Sequence, residues 1–588
     1  LVNLIYYQNR ISAITKDYEK AKRVHQIFGL CRLGAFVALI GSVYFAWGSL
    51  WLVLFFGLFV SVFLFFVHLS ENAKQEKNKK KKLIELNQSE LKVLNGDWQD
   101  FKDGSEYRDP KHAFAHDMDI FGKKSFFQLV NRTVSKNGSD ALAKQFLQGS
   151  PNVELSHAAI QELVKHIDWC QDFLAEGLVL EESERNKELN SILSLSAKES
   201  KRNRYLRLII PISSPIVIVL FLLNLLSEPV FLFYMIGVLF LIGNNLKRTN
   251  HLCNQVTAYS SQVTKMLNQL ALYEKMAFYS PLLQQDKEAL FSSENNLMTA
   301  LLELSKIQKR MDYRMNILVG VVLNLVFAWD LQVAYSWEKW RVKQFDYLSE
   351  WESKIAMLEV WISGAIYHFN FQTTTFAQFN TNETISITGL GHPFVAPTKQ
   401  VLNNVVFSEG EHFLIITGPN MAGKSTYLRS LGLVFICANA GFPILASSCE
   451  IPKLKLYSSM RTSDDLTVES SYFHAELSRL RFIVDAIEAG EKVFVILDEI
   501  LKGTNSKDKE IGSAKFLQKL ERLRTKGVIA THDLSLCTLA DLKPSFSNWY
   551  FDSTISGANL SFDYKIRQGI CQNMNASFLL KQLKLVDE

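Results

Sequence analysis

The 588-residue chain contains no C-x-x-C pair. Its seven cysteines, at positions 31, 170, 253, 437, 449, 537 and 571, are scattered along the whole length. That spacing argues against a zinc site and fits a reducing compartment. Strong net charge is missing too. Lys and Arg number 64 against 59 Asp and Glu, a formal charge of +5. No global basic field therefore argues for nucleic acid. With 48% hydrophobic and 21% charged residues, the chain is not of the disordered class. Its length is enough for several domains. The first residue is leucine, and the expectation is that the natural start lies upstream.

Two stretches almost lack charge. Residues 33–67 carry none, and residues 208–246 carry only Glu228. The first is too long for one span and reads as two short spans folding near Gly48 and Ser49. The second reads as two spans joined at Ser227-Glu228-Pro229. Buried core helices are the competing reading, but these rarely lack charge for so long. A cleaved signal peptide does not fit, because a second apolar span follows at once with no small-residue cleavage site. Lys and Arg are absent from both inter-span turns. Lys74, Lys77 and residues 79–82 follow the first hairpin. Lys201, Arg202, Arg204 and Arg207 precede the second, and Lys247 and Arg248 follow it. Positive-inside then predicts a multi-pass protein of the cytoplasmic (inner) membrane, with both termini and all large segments in the cytoplasm. The 79–82 lysine run reads as a membrane flank, with anionic lipid or nucleic acid as its alternative ligands.

The stretch Thr417-Gly-Pro-Asn-Met-Ala-Gly-Lys-Ser-Thr426 fits G-x-x-x-x-G-K-[ST] through Gly418, Gly423, Lys424 and Ser425. An apolar run precedes it at 413–416, and a helical pattern follows at 427–440. That is the strand–loop–helix context a phosphate loop needs. Backbone N–H groups of such a loop surround phosphate oxygens, and the helix N-terminus adds partial positive charge. Lys424 is expected to reach the β/γ-phosphates of ATP, and Ser425 to hold Mg²⁺. Downstream, Asp498 ends an apolar run at 493–497 and is expected to hold Mg²⁺ through water. Glu499 follows, and is expected to position or deprotonate the attacking water. Short apolar runs at 413–416, 493–497 and 527–530 alternate with helices, the pattern of an α/β sheet.

The loop, with Pro419, Asn420, Met421 and Ala422 between its glycines and Thr426 at its end, resembles that of the MutS family, which reads TGPNMxGKST. Other segments match in order. Ser463-Asp-Asp-Leu466 and Ser471-Tyr-Phe-His-Ala-Glu476 resemble the DDL…STFxxE segment. Val493-Phe-Val-Ile-Leu-Asp-Glu499 is the acidic strand. Gly503-Thr504-Asn505 resembles the RGT turn, and Ala530-Thr-His-Asp533 the ATH motif. Gly391-His-Pro393 and Asn403-Asn404 resemble segments near the base, with Asn404 where the family usually has Asp. Glu469 and Leu501 replace glycines. Earlier in the chain, Asp117-Met-Asp-Ile-Phe-Gly122, Ser125-Phe-Phe127 and Asn131-Arg-Thr133 resemble the opening of the MutS helical core. His112, His116, Asp117 and Asp119 could be imagined as metal ligands, but packing and turn roles are the expectation.

The resemblance implies a multidomain α and α/β chain. It reads as an N-terminal helix (1–32), transmembrane hairpin 1 (33–69), a first part of the helical core (70–205), transmembrane hairpin 2 (206–246), a helical core and lever (247–380) and a P-loop ATPase domain (381–588). Within the lever region, 317–326 is too short to span and reads as a buried helix. The resemblance further implies that Ser471 reaches the γ-phosphate of the neighbouring subunit in a homodimer, and that His532 contacts the γ-phosphate or the water. The resemblance implies a dimeric ATPase coupled to DNA binding, and the uncharged stretches add a membrane anchor with membrane lipid as a second partner. No Phe-x-Glu wedge or mismatch-reading domain stands in the N-terminal region, which keeps open an ATP-driven membrane switch or scaffold without DNA. A transporter of the ATP-binding-cassette type lacks its L-S-G-G-Q signature in 477–492.

Overall fold

The computed structural model describes residues 2–45, 51–179, 189–197, 199–244, 246–292, 296–314, 317–461, 472–502, 505–556 and 559–572. Two 44-residue helices, Val2–Phe45 and Trp51–Leu94, pack side by side and open the chain. Their apolar halves are continuous with polar halves that enter the helical body. By length and composition alone, two helices among the described residues can each cross a membrane, namely Asn3–Gly41 and Lys201–Leu222. Glu228–Gly243 meets that test only together with its bent continuation. Lys201–Leu222 and Glu228–Gly243 form the second helical hairpin. Ser200 caps its first helix, and Pro229 stands in the first turn of its second, where the missing N–H costs nothing.

The region 246–313 is four helices rather than one long rod: Leu246–Thr257, Ser260–Lys275, Pro281–Phe291 and Leu297–Tyr313. They pack with Ile167–Leu178, Trp329–Gln344 and Leu348–Asn370 around a core that includes Phe173, Tyr273, Leu301, Trp337 and Ile366. Trp337 and Trp340 bury ring area here and still find partners. Trp337 Nε1 donates to Leu195 O, and Trp340 Nε1 to Ala300 O, both at 2.8 Å. The expectation of a buried helix at 317–326 does not hold. Ile317–Phe327 lies on the second hairpin with Val319, Val321, Val322 and Phe327 exposed. Apolar periodicity reports a lack of charge, not what covers the helix.

A buried ion pair ties the first hairpin to the body. Arg132 Nε and Nη2 donate to the two oxygens of Glu90, the second at 3.0 Å, and the side chains are 3% and 0% exposed. Asn370 Nδ2 donates to Glu90 Oε2 at 2.7 Å, and Tyr7 O–H donates to Asn370 Oδ1 at 2.7 Å. The Glu90 carboxylate thus joins its own helix to Arg132 and Asn370, and Tyr7 of the first helix is tied to it through Asn370.

The C-terminal region holds a six-stranded sheet. Its order is Ile566–Gln568, Phe546–Phe551, Phe413–Thr417, Lys526–Ala530, Val493–Asp498 and Lys455–Ser459. All neighbours are parallel except at the Ile566–Gln568 edge. Five-residue runs such as Phe413–Thr417 are buried throughout, as a parallel sheet covered on both faces requires. A second, four-stranded sheet joins Gln378–Asn380, Ser448–Pro452, Ile385–Leu390 and Asn403–Phe407.

The seam between body and sheet is polar, buried at Asp117 and half-exposed at Asp119 and Arg461. Asp117 accepts hydrogen bonds from Ser458 Oγ (2.7 Å), Met460 N (3.1 Å) and Arg461 N (3.0 Å). Asp119 pairs with Arg461 at 2.6 Å and lies 3.5 Å from Arg429. The carboxylates suspected as metal ligands are therefore spent on the seam, and no metal-binding cluster occurs among the described residues.

Replacing Glu90 by Ala strands the Arg132 charge in the interior and is expected to cost about 3–5 kcal/mol. Tyr7→Phe removes one neutral bond, worth about 1 kcal/mol. Urea midpoints followed by near-UV circular dichroism in detergent measure both. Equal costs would show that Arg132 is otherwise compensated.

Candidate nucleotide site

The loop between Phe413–Thr417 and the helix Lys424–Ala440 closes on itself through glycine. Gly418 has φ 142°, and a Cβ there would lie 2.6 Å from Phe551 O. Gly423 caps the helix at φ 101°. Only glycine meets both demands without strain. Met421 takes φ 67° between them, with its side chain exposed.

Lys424 is buried at the base of the loop. Its Nζ donates to Gly418 O (2.8 Å) and Pro419 O (2.9 Å) and lies 3.3 Å from His532 Nε2. Burial lowers its pKa, and the carboxylates of Glu499 and Asp498 oppose that shift. Ser425 Oγ donates to Asp498 Oδ2 at 2.8 Å. Asp498 is level with Ala530 at the C-terminal edge of the sheet, so both arrive beside the loop by strand register. Burial raises the Asp498 pKa, and the Ser425 hydrogen bond works against that.

Glu499 stands just past the strand at φ 51°, its N–H held by Ala530 O at 2.9 Å. Its carboxylate lies 3.1 Å from His532 Nε2, which is also 2.7 Å from Asn420 Oδ1. The His532 hydrogen bond holds the Glu499 pKa down to about 2. Lys502 Nζ adds its charge 3.6 Å from the same carboxylate. Lys424, Ser425, Asp498 and Glu499 line one cleft of about 660 Å³, together with Asn420, His392 and Tyr564.

The turn after the acidic strand is unusual. Leu501 takes φ 61°, a strained value for a residue with a Cβ. Glu476, on the helix Tyr472–Glu488, accepts the N–H of Leu501 (2.5 Å) and of Lys502 (3.1 Å) and fixes that turn. Sequence reasoning quoted Glu476 without giving it this role. It also missed Arg429, Arg461 and Arg479. Arg479 donates to Ser458 O, Lys111 O and His112 O at 2.9, 3.1 and 2.8 Å, so it lies across the seam. Nothing local in the sequence marks these arginines. Asn403 bridges to the far edge, with Nδ2 donating to Tyr564 O and Oδ1 accepting from Ile566 N, both at 3.0 Å. Asn404 Oδ1 accepts from Gly389 N at 2.9 Å. Ser463, Asp464, Asp465, Leu466, Glu469, Ser471, Gly503 and Thr504 lie outside the described residues. Asn505 caps the helix Ser506–Arg522 by accepting from Asp508 N at 2.9 Å.

The chain is mostly helical, with α/β sheets in its C-terminal part, and its cleft joins a glycine-lysine loop to an acidic strand end. Residues 414–584 match the family model for MutS domain V. The human MutS protein homolog 4 is 31% identical over 204 residues, covering 33% of this chain and 22% of that protein. The DNA mismatch repair protein MutS of Thermotoga sp. (strain RQ2) is 29% identical over 226 residues, covering 38% and 28%. That of Clostridioides difficile (strain 630) is 30% identical over 254 residues, covering 42% and 26%. These matches support the MutS family. They span about a quarter of the length of each relative.

His392 supplies a pH test. It is buried beside the cleft, and its Nδ1 accepts from Phe394 N at 3.2 Å. Burial first, then Arg429, lowers its pKa to about 4. Between pH 6.5 and 4 the unfolded chain binds a proton that the folded chain refuses. Stability should therefore fall on acidification, by about 2 kcal/mol for this group between pH 7 and 5. Urea midpoints at the two pH values should differ less in His392→Asn. An unchanged difference would mean that His392 takes up its proton while folded.

Proposed function

We propose that this chain is a membrane-anchored, MutS-like ATPase that works as a homodimer in the cytoplasmic membrane and couples ATP hydrolysis to DNA binding. The observation that carries the nucleotide reading is the convergence of Lys424, Ser425, Asp498 and Glu499 on one cleft, with His532 in contact with Lys424 and Glu499. The hydroxyl–carboxylate pair of Ser425 and Asp498 offers hard oxygen donors that fit Mg²⁺. The loop Gly418, Pro419, Asn420, Met421, Ala422, Gly423 and Thr426 at the helix N-terminus fits a triphosphate. Mg²⁺, when bound, withdraws charge from the phosphoryl oxygens.

The rest falls to the protein. Lys424 leaves its two loop carbonyls and places its charge on the β/γ-phosphates. Glu499, with its pKa held low, stays ionised at neutral pH. It positions the attacking water by accepting a hydrogen bond. His532 sits between Asn420 and Glu499, where one hydrogen bond can report whether the terminal phosphate is present. Ser471 would complete the site of the neighbouring subunit.

Membrane anchoring is supported by the apolar, largely exposed second hairpin, where Phe233 and Phe240 are 81% and 73% exposed. Basic residues at its feet favour a cytoplasmic body. DNA binding is supported by the relatives named for DNA mismatch repair.

Lys424→Ala should abolish ATP binding, whereas Glu499→Gln should keep affinity and slow turnover by at least tenfold. Fluorescent-nucleotide titration and phosphate release separate the two. Equal loss of affinity would contradict the division of roles. Solubilised protein should bind duplex or branched DNA with an affinity that falls steeply with salt. Absence of binding at low salt would favour the membrane switch without DNA.

A further inference from the structure

The helix Ile317–Phe327, of sequence ILVGVVLNLVF, has no charged residue. Eleven residues at about 1.5 Å each reach about 16 Å, roughly half of a ~30 Å hydrocarbon core. A helix of this composition in a water-soluble body would be covered. Here Val319, Val321, Val322 and Phe327 are 42%, 40%, 58% and 45% exposed. The opposite side packs on the second hairpin. Leu325, with Ala328 and Leu331, meets Ile210, Val238 and Ile242. Ile210 stands three residues past Arg207, so the contact lies just beyond the basic foot of that hairpin.

Among the described residues, Asn324, Asp330 and Arg314 at the base of this helix are turned inward and paired with one another. Asn324 Nδ2 donates to Gly320 O (3.0 Å) and Asp330 Oδ1 (3.1 Å), and Asn324 Oδ1 accepts from Asp330 N (2.9 Å). Arg314 grips the Asp330 carboxylate with Nε and Nη2 at 2.8 and 2.7 Å, the side chains being 6% and 1% exposed. Ala328, at φ 50°, turns the chain by 79° into Trp329–Gln344. Such pairing is what a helix end needs where water is scarce.

We propose that Ile317–Phe327 enters the cytoplasmic leaflet beside the second hairpin without crossing it, so that its exposed face contacts lipid acyl chains. This inference rests on the membrane reading above. Lipid is favoured over a protein partner on two grounds. The exposed valines continue the apolar surface of the hairpin, where Ile209, Ile212 and Phe240 are exposed. A protein interface would also carry a polar rim, and this helix presents none. Arg202, Arg204, Lys247 and Arg248 at the hairpin feet complement anionic headgroups. The helices on either side, Leu297–Tyr313 and Trp329–Gln344, contribute Leu304, Met311, Trp337 and Trp340 to the core of the body. The leaflet thus grips the body directly, not only through the two hairpins.

Nitroxide accessibility in the full chain tests this. The protein is reconstituted in discs of phosphatidylethanolamine and phosphatidylglycerol. Cys31 is replaced by Ala, because the other six cysteines are buried. Single labels are placed by Val322→Cys, by Phe233→Cys on the hairpin, and by Val342→Cys on the body, where Val342 is 63% exposed. Label 322 should match label 233, with a several-fold higher ratio of oxygen to nickel-complex accessibility than label 342. A water-like label 322 beside a lipid-like label 233 would overturn the inference and leave the hairpin reading standing. A label 322 shielded from both reagents would overturn it in favour of a protein partner. Water-like behaviour at both 322 and 233 would remove the membrane reading and this inference with it.

Discussion

The carboxylate of Asp117 sits where the helical body meets the C-terminal sheet. It gathers a hydroxyl and two backbone N–H groups from 458–461, a segment more than 300 residues away in sequence. A buried anion with three donors has one low-energy position. Arg429 adds a second tie, donating from the helix that follows the phosphate loop to Asp117 O at 3.1 Å. One short body segment therefore touches both that helix and the chain leading toward residues 462–471. A shift of the loop helix is felt at the body through these few bonds, and the same holds in reverse.

From Asp117 the connection continues toward the hairpins. Arg132 joins Glu90 on the second helix of the first hairpin, and Glu90 in turn accepts from Asn370 at the end of Leu348–Asn370. Arg132 N donates to Ser363 Oγ at 3.1 Å, and Glu359 accepts the N–H groups of Val134 and Ser135 at 3.1 and 3.0 Å. These are largely buried polar contacts between the 131–135 segment and the helices beside it. Such contacts hold one arrangement and resist gradual deformation. In this account, nucleotide chemistry at one end and lipid at the other act on a body that moves as a few stiff parts.

The sequence displayed the local features well. The loop from Gly418 to Ser425 and the acidic strand ending at Asp498 each rest on a short chemical signature, and each is where the pattern put it. The hairpin turn expected at Ser227-Glu228-Pro229 instead lies at 223–227, because Pro229 opens the second helix. The helical character of 247–313 was legible, but its split into four helices was not read, although Pro281 opens one of them. Two things were not legible. The partners of Asp117, Arg429 and Arg479 are set by tertiary contact and leave no periodic trace. The side of Ile317–Phe327 that faces outward could not be read either, because an uncharged helix looks the same in a protein core and against lipid. Leu501 shows the converse. A residue with a Cβ occupies a left-handed turn, and Glu476 on another helix holds it there.

The central proposal is that fast ATP hydrolysis requires two copies of this chain to meet in one membrane. The direct test is ATP turnover per chain in lipid discs sorted to hold either one copy or two. The account predicts that single-copy discs bind ATP but hydrolyse it slowly, while two-copy discs turn over many-fold faster. The same rate per chain in both would contradict it.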